Sequence, residues 1–344
     1  MTGTNIKRFF VVAQLIFFGY NSLAWAQFNL PLGERYAVIL GGIGGQEEFT
    51  KKYYSQTRRM YNILVDTLEY KRENIFYLFE VPSYDSLKIQ YRATAVNVRR
   101  LFNQLAKTMT PKDQLFIFMV GHGTYDGDWS KFNLVGPDLR DIDFARLLAE
   151  IPTKKIIIVN TTSASGPFIE KLSGKERVII TATKSGAEYH ATTFADFFLD
   201  ALATEEADFN KDNRISLFEA FKFAKANQDT WYEEKRRLRA EHPLLDDNGD
   251  GKGTQELDNG TDGLWASRVY LGPISSELEA TFEKVKTGTY SPVDSLRLKK
   301  FHLEQEIEDL KAQKKQMKSD EYFRKLESLL IQLAKVNKQL KKSK

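Results

Sequence analysis

Two apolar runs of this chain each end in residues that could perform catalysis. The run at residues 115–123 ends on His122 between two glycines, and the run at 156–168 breaks into a loop of small hydroxyl residues that includes Ser163. A histidine can act as a general base and a serine hydroxyl as a nucleophile. Because the carboxyl ends of parallel strands meet at one edge of a sheet, these two loops predict one shared site.

The pattern around these runs predicts strands that alternate with helices. Besides the run that ends on His122, strands are expected at residues 36–42, 74–80, 155–160, 177–183 and, last, 266–271. Helical spacing of apolar residues occurs at 47–68, 94–107 and 141–151. This order predicts an α/β fold with a doubly wound, mostly parallel sheet of about six strands and helices on both faces.

Several motifs, in order, resemble those of the caspase, legumain and gingipain superfamily of cysteine peptidases, in a bacterial form. They are Gly-His-Gly at 121–123, a Ser-Gly turn at 165–166, and the segment 181–202, in which Glu188 matches an acid of the legumain specificity pocket. The resemblance covers residues 35–272 and implies a caspase-like fold. In the family pattern the nucleophilic cysteine precedes a small residue and Ser-Gly, so the alignment places Ser163 at the cysteine position.

The chain contains no cysteine, so the nucleophile that the resemblance implies is replaced. A serine needs a base that is oriented, usually by a carboxylate, and a strong oxyanion hole. The sequence therefore favours a catalytically inactive pseudo-peptidase that binds a peptide or protein through a cleft near His122, Ser163 and Glu188, or through its C-terminal helices. The alternative is an active endopeptidase in which Ser163 attacks the peptide, His122 is the general base and backbone N–H groups near Gly123 and Ser163 hold the oxyanion.

An acid beside His122 would favour the active alternative, and the nearby candidates in sequence are Asp126, Asp128 and Asp143. Thr161 and Thr162 flank Ser163, and any of the three could face His122. Without the resemblance, these three residues are typical of a turn whose hydroxyls satisfy backbone groups at a strand end. The other histidines, His190, His242 and His302, stand alone in sequence and are expected on the surface or in packing contacts.

Residues 208–219 match an EF-hand calcium loop. The side-chain ligands fall at the expected positions, and the seventh position offers a backbone carbonyl. The predicted calcium ligands are Asp208, Asn210, Asp212, Arg214 (carbonyl), Ser216 and Glu219. Asn213 replaces the usual glycine, but asparagine tolerates a left-handed backbone. A capping box formed by Ser216 and Glu219 is the alternative. Residues 246–254 repeat the start of this pattern, but Leu257 stands at the twelfth position in place of the bidentate acid. A turn-rich acidic loop is the expectation there, and a second calcium site is the alternative.

Other cofactors are not predicted. The glycines at 41–45 do not meet the G-x-G-x-x-G spacing and no Walker lysine follows, so they predict a tight turn beside the site and not a nucleotide site. Without cysteine the chain can form neither a disulfide nor a cysteine zinc site, and no zinc is expected.

The two ends of the chain predict export and a helical tail. Lys7 and Arg8 precede a short apolar stretch and Ala24-Trp25-Ala26, so residues 1–26 are a predicted signal peptide and the protein is expected to be periplasmic or secreted. Membrane attachment is expected only if this segment stays uncleaved. Residues 27–274 are the predicted caspase-like domain. Residues 275–344 have leucines at helical spacing, which predicts a helical hairpin or coiled coil; their basic residues alternate with acids, so nucleic acid is not an expected partner.

Overall fold

A seven-stranded sheet lies at the centre of the computed structural model, which describes residues 33–257, 262–273, 276–312, 314 and 317–343. The strands of the described residues are β1 (Arg35–Gly41), β2 (Ile75–Phe79), β3 (Tyr91–Arg92), β4 (Gln114–Val120), β5 (Gly123–Tyr125), β6 (Ser130–Phe132), β7 (Leu139–Arg140), β8 (Ile156–Asn160), β9 (Arg177–Thr181) and β10 (Leu244–Asp246). The central sheet has the order β10-β9-β8-β4-β1-β2-β3, and β5, β6 and β7 form a small separate sheet. Every neighbouring pair of the central sheet is parallel except β10 with β9.

Helices connect the strands and then form the C-terminal part. Their bounds are α1 (Glu47–Asn62), α2 (Ala95–Thr108), α3 (Asp141–Ala149), α4 (Phe168–Leu172), α5 (Phe194–Leu202), α6 (Leu217–Glu234), α7 (Ser276–Lys286), α8 (Pro292–Ala312) and α9 (Ser319–Lys342). A short π-helical stretch, Ile63–Thr67, continues α1. Helix α2 begins where the sequence predicts, because the Thr94 side chain accepts from the Asn97 N–H group.

The core has two layers, one on each face of the sheet. Alternate side chains of the strands point to opposite faces, so Phe118 of β4 packs with Phe198 of α5, while Ile117 belongs to the layer that contains Phe102 of α2 and Phe144 of α3. Both faces are buried, which explains why the strands appear in sequence as continuous apolar runs. The architecture is the mostly parallel α/β sheet with helices on both faces that the sequence predicts.

One predicted strand is wrong. Residues 266–271 form a short 3-10 turn, Ala266–Arg268, followed by a single antiparallel bridge between Tyr270 and Ser216. The edge of the sheet beside β9 is instead taken by β10. The Asp247 carboxylate accepts from the N–H groups of Gly263 and Ala266, which holds the segment in a turn.

The C-terminal helices α8 and α9 pack together, with Leu303, Ile307 and Leu310 of α8 buried. Arg268 pairs with Asp309 of α8, so the helices also contact the α/β part, and residues 33–344 form one unit. No helix in the described part of the chain is long and apolar enough to cross a membrane. The predicted signal peptide, residues 1–26, lies outside the described residues.

Candidate active site

The loops that follow β4 and β8 lie side by side, because these two strands pair in parallel up to Met119 and Asn160. At the first loop Gly121 has a φ of +153°. Gly123 has no room for a side chain, since a Cβ atom there would lie 2.2 Å from the carbonyl oxygen of Ser163. The two glycines around His122 therefore let the chain turn and approach the Ser163 loop closely.

The hydroxyl of Ser163 is fully engaged with the backbone of Gly123. Its Oγ donates to the Gly123 carbonyl oxygen and accepts from the Gly123 N–H group, both at 3.0 Å. The residue is 1% exposed. In this arrangement the hydroxyl has no open side from which a substrate carbonyl could be attacked, and the Gly123 N–H group is not available to an oxyanion.

The neighbouring hydroxyls are also buried and bonded within the protein. Thr161 donates to the Met119 carbonyl oxygen at 2.8 Å, and Thr162 to the side chain of Asn160 at 2.7 Å. Ser165 lies 3.2 Å from the hydroxyl of Thr183. Neither threonine hydroxyl is hydrogen-bonded to His122, and the Ser163 hydroxyl is not either. The hydroxyls join the ends of adjacent strands, as expected for a structural turn.

His122 contacts aromatic and backbone groups. Its Nε2 lies 3.2 Å from the Gly44 carbonyl oxygen, and the Tyr53 hydroxyl lies 3.3 Å from its Nδ1. These contacts fit a neutral ring that donates from Nε2 and accepts at Nδ1, a tautomer inferred from the hydrogen bonds. The ring of Phe49 packs edge-on at 4.9 Å. Burial lowers the pKa of His122 below its usual value, and the charge of Lys52 adds to this effect.

The acids expected near His122 have other partners. Asp126 pairs with Lys131 at 2.6 Å, and that hydrogen bond, with two backbone N–H groups, lowers its pKa to about 2. Asp143 pairs with Arg140 and caps the start of α3. Among the described residues, the hydrogen-bond partners of the His122 ring are Tyr53 and Gly44. No carboxylate of the described part of the chain, that of Asp128 included, is hydrogen-bonded to His122.

The turn at 41–45 positions the Gly44 carbonyl beside His122. The Gly44 N–H group donates to Oε2 of Glu80 at 2.9 Å, and the Thr50 hydroxyl donates to the same oxygen at 3.0 Å. Glu80 follows β2 and therefore fixes the turn from a third strand end. The sequence indicated a turn near the site, but not that its carbonyl would bond the histidine.

Glu188, the predicted specificity acid, is paired with a histidine. Its Oε1 lies 2.5 Å from Nδ1 of His242, and its Oε2 accepts from the N–H groups of His242 and Lys184. The carboxylate is 12% exposed. Its own carbonyl oxygen accepts from the Ala164 N–H group at 2.8 Å, so Glu188 lies against the Ser163 loop. Sequence reasoning missed the role of His242, which is 54 residues away and has no motif around it.

The loop at 208–219 is held by hydrogen bonds between its side chains and its own backbone. The Asp208 carboxylate accepts from the N–H groups of Asp212 and Asn213, and Asn213 has a φ of +65°, the left-handed conformation that the sequence indicated. Asn210 and Asp212 make further bonds within the loop. Ser216 and Glu219 form the capping box of α6.

Glu219 also accepts from the N–H groups of Phe209 and Asn210, so its carboxylate points back into the loop. Arg214 lies over the ring of Tyr270 at 3.6 Å. Among the residues that the structure describes, no group of three or more acidic or histidine side chains is arranged to hold a metal ion. Two of the predicted calcium ligands, Ser216 and Glu219, are thus engaged in the capping box.

This mostly parallel α/β sheet, with helices on both faces, is consistent with a caspase-like fold. The Peptidase C13 family, that of the legumains, has a model that matches residues 81–237, the segment that contains His122, Ser163 and Glu188. The match supports the caspase/legumain-like peptidase family for this chain. Comparison with curated proteins finds no match. A similar solved structure is protein GSU0716 from Geobacter sulfurreducens, with 12% identity, a TM-score of 0.42, and coverage of 62% of this chain and 92% of that one.

Proposed function

We propose that this chain is an exported, catalytically inactive caspase/legumain-like protein that binds a peptide or protein. The main support for inactivity is the position of Ser163, whose hydroxyl is buried and makes both of its hydrogen bonds with Gly123. A nucleophile must reach the substrate carbonyl and pass its proton to a base. Ser163 does neither in this arrangement.

The surroundings of Ser163 give further support. His122 carries a pKa lowered by burial and is oriented by Tyr53 and Gly44 instead of a carboxylate. The Gly123 N–H group, a predicted oxyanion donor, donates its hydrogen bond to the Ser163 hydroxyl. A general base and an oxyanion donor each contribute on the order of 10²–10⁴-fold in rate, so both shortfalls weigh against measurable hydrolysis.

The test is a peptidase assay of the purified protein on a peptide library. We expect no hydrolysis above background by the wild type and no difference in Ser163→Ala. Ser163→Cys is the informative gain-of-function variant, since a thiol loses its proton more easily than a hydroxyl and needs a weaker base. Robust wild-type hydrolysis that disappears in both Ser163→Ala and His122→Ala would establish instead the active serine endopeptidase.

Binding is supported by a cavity at the C-terminal helices. Its volume is about 750 Å³, and its walls come from the 208–219 loop, α6, residues 262–267 and the helices α8 and α9. Phe209 and Leu264 expose apolar surface there, at 50% and 44%, beside Lys311 and Lys314. Exposed apolar groups with polar groups around them are typical of peptide and protein binding sites.

A pair of variants distinguishes peptide binding in this cavity from peptide binding in the predicted cleft near Glu188. Leu264→Asp adds a charge to the cavity, and Tyr189→Asp adds one at an exposed position next to Glu188. For a peptide selected on the wild-type protein, we expect binding to be lost in Leu264→Asp and kept in Tyr189→Asp. The reverse result would assign binding to the cleft.

Two further parts of the proposal are export and calcium. Export rests on the signal-peptide pattern of residues 1–26, and N-terminal sequencing of the exported protein should begin at Gln27. Calcium at residues 208–219 is supported by the left-handed Asn213 and by the Glu219 carboxylate that faces the loop. The calcium-dependent melting temperature tests it, as described below.

A further inference from the structure

Helix α9 carries a row of exposed apolar side chains. Phe323, Leu330 and Ile331 are 55%, 48% and 47% exposed. They belong to a shallow groove of about 500 Å³, which is lined by Phe323, Leu326, Glu327, Leu330, Ile331 and Ala334. Residues three, four and seven positions apart lie on one face of a helix, so these six residues form a continuous surface, which we call the α9 stripe.

The α9 stripe is not part of the cavity proposed for peptide binding. The residues of α9 that line that cavity are Ser319 and Tyr322, and neither belongs to the stripe. Tyr322 and Val336 of α9 are buried, whereas the stripe is open. Contiguous apolar surface on a folded protein is typical of a contact with another molecule. The stripe therefore indicates a second binding surface, independent of the proposed function.

The charges of α9 are divided along its length. Its acids, Asp320, Glu321 and Glu327, all lie among its first nine residues. Its last eight residues contain no acid and four bases, which are Lys335, Lys338, Lys341 and Lys342. A second α9 helix in parallel orientation would bring two groups of lysines together, whereas an antiparallel helix brings each group towards the acids of the other copy. Charge therefore favours an antiparallel pair of α9 helices.

Asp320 and Lys338 lie on the same side of the α9 stripe. Their positions, 320 and 338, differ by about five whole turns at 3.6 residues per turn. In two antiparallel helices related by a two-fold axis, equivalent sides face each other and every contact occurs twice. With the axis at the middle of the stripe, Phe323 lies near Ala334 of the other copy, and Asp320 lies near Lys338 of the other copy. A second copy of this chain thus supplies the opposite charge for both residues.

We propose that the α9 stripe binds the α9 stripe of a second copy of this chain, in an antiparallel two-fold dimer with two Asp320–Lys338 ion pairs. The apolar contact drives association, because it removes the exposed side chains from water. The ion pairs at its edge set the direction and the register of the two helices. Glu327 lies within the stripe and loses water on association, which weakens the dimer and makes it reversible.

Sedimentation equilibrium of the purified protein at several concentrations tests the dimer. We expect a monomer–dimer equilibrium for the wild type, and Leu330→Asp should weaken it by about tenfold or more, because it places a charge in the apolar contact. Leu87→Asp is the matched control, since Leu87 is 96% exposed and lies outside α9, and it should associate as the wild type does. A monomeric wild type, or an unchanged equilibrium in Leu330→Asp, would overturn the proposal.

An exchange of charges tests the direction of pairing and the identity of the partner. Lys338→Asp should weaken the dimer by about tenfold, because like charges then meet. Adding Asp320→Lys should restore it, because the two positions again carry opposite charges. Lys338→Asp should melt as the wild type does in dilute solution, which separates weaker association from misfolding. A double variant that associates no better than Lys338→Asp would contradict the antiparallel pair.

A lipid surface is the other occupant that a basic helix with an apolar stripe could accept. Vesicles of anionic phospholipid provide this arm of the test. We expect the wild-type protein to stay in the supernatant when the vesicles are sedimented. A wild type that is monomeric in solution and sediments with the vesicles, while Leu330→Asp does not, would assign the stripe to a membrane surface and overturn the dimer.

Discussion

Nδ1 of His242 and Oε1 of Glu188 lie 2.5 Å apart and connect the loop after β9 to the segment before β10. Both side chains are mostly buried, at 24% and 12% exposed. The pair fixes the acid that the legumain resemblance assigns to substrate recognition, so Glu188 has a structural task whether or not it also binds a ligand.

We expect Glu188→Gln to destabilise the fold by about 1–3 kcal/mol, because a buried carboxylate loses charge-assisted hydrogen bonds to His242 and Lys184. Denaturant unfolding measures this change. Glu47→Gln is the control, since Glu47 forms an exposed pair with Lys51, and it should leave the unfolding curve unchanged. Equal curves for the wild type and Glu188→Gln would mean that the pair contributes nothing.

Gly123→Ala should destabilise the protein by about 1–3 kcal/mol, because the new methyl group meets the Ser163 carbonyl oxygen and the backbone cannot yield easily. The matched variant is Gly174→Ala, whose Cβ would meet only the flexible side chain of Arg177, at 3.2 Å. Thermal melting of the two variants should show a clear loss for the first alone. A tolerated Gly123→Ala would show that the two loops can separate.

His122 should make stability depend on pH. Burial lowers its folded pKa below the usual 6.5, so the folded state favours the neutral ring. The stability from this group is present above pH 6.5 and is lost as the pH falls through the lower folded value. The fall in unfolding free energy between neutral and acidic pH should be smaller in His122→Gln. His190→Gln, an exposed position beside Tyr189, should keep the wild-type fall, and identical profiles for all three proteins would exclude this role.

Calcium should raise the melting temperature through the 208–219 loop. A ligand at about 100 times its Kd that binds only the folded protein adds about 2.7 kcal/mol. Glu219→Ala should abolish the gain that this loop provides, and it also removes a helix cap. Thr94→Ala removes the cap of α2 and should lower the melting temperature equally with calcium and with chelator. A Glu219→Ala protein that gains as much from calcium as the wild type would leave only the capping role.

The sequence was sufficient to predict the central strands and the two loops that form the site. Strands buried on both faces are continuous apolar runs, and the parallel pairing of β4 with β8 follows from the alternation of strands and helices. The sequence therefore predicted correctly that His122 and Ser163 lie at the same edge of the sheet. The three-residue strand β10 was missed, because a segment that short carries no periodic signal.

The bonding within the site could not be predicted. Whether Ser163 bonds His122 or the Gly123 backbone depends on the exact path of two loops, and the pairing of Glu188 with His242 depends on the folding of the helices between them. Contacts between distant residues leave no spacing to recognise.

The hydrogen bonds of the Ser163 loop also set how often the serine could be exposed. Opening the loop breaks two bonds to Gly123, the bond from Ala164 to Glu188 and the bond from Ser130 to the Ala164 carbonyl oxygen. At about 1 kcal/mol each, these bonds would keep the open conformation near one molecule in about a thousand. Any reaction through Ser163 would then be slowed by this population factor before its chemistry begins. To expose the serine in most molecules, a ligand would have to bind the open conformation more tightly by the free energy of these four bonds.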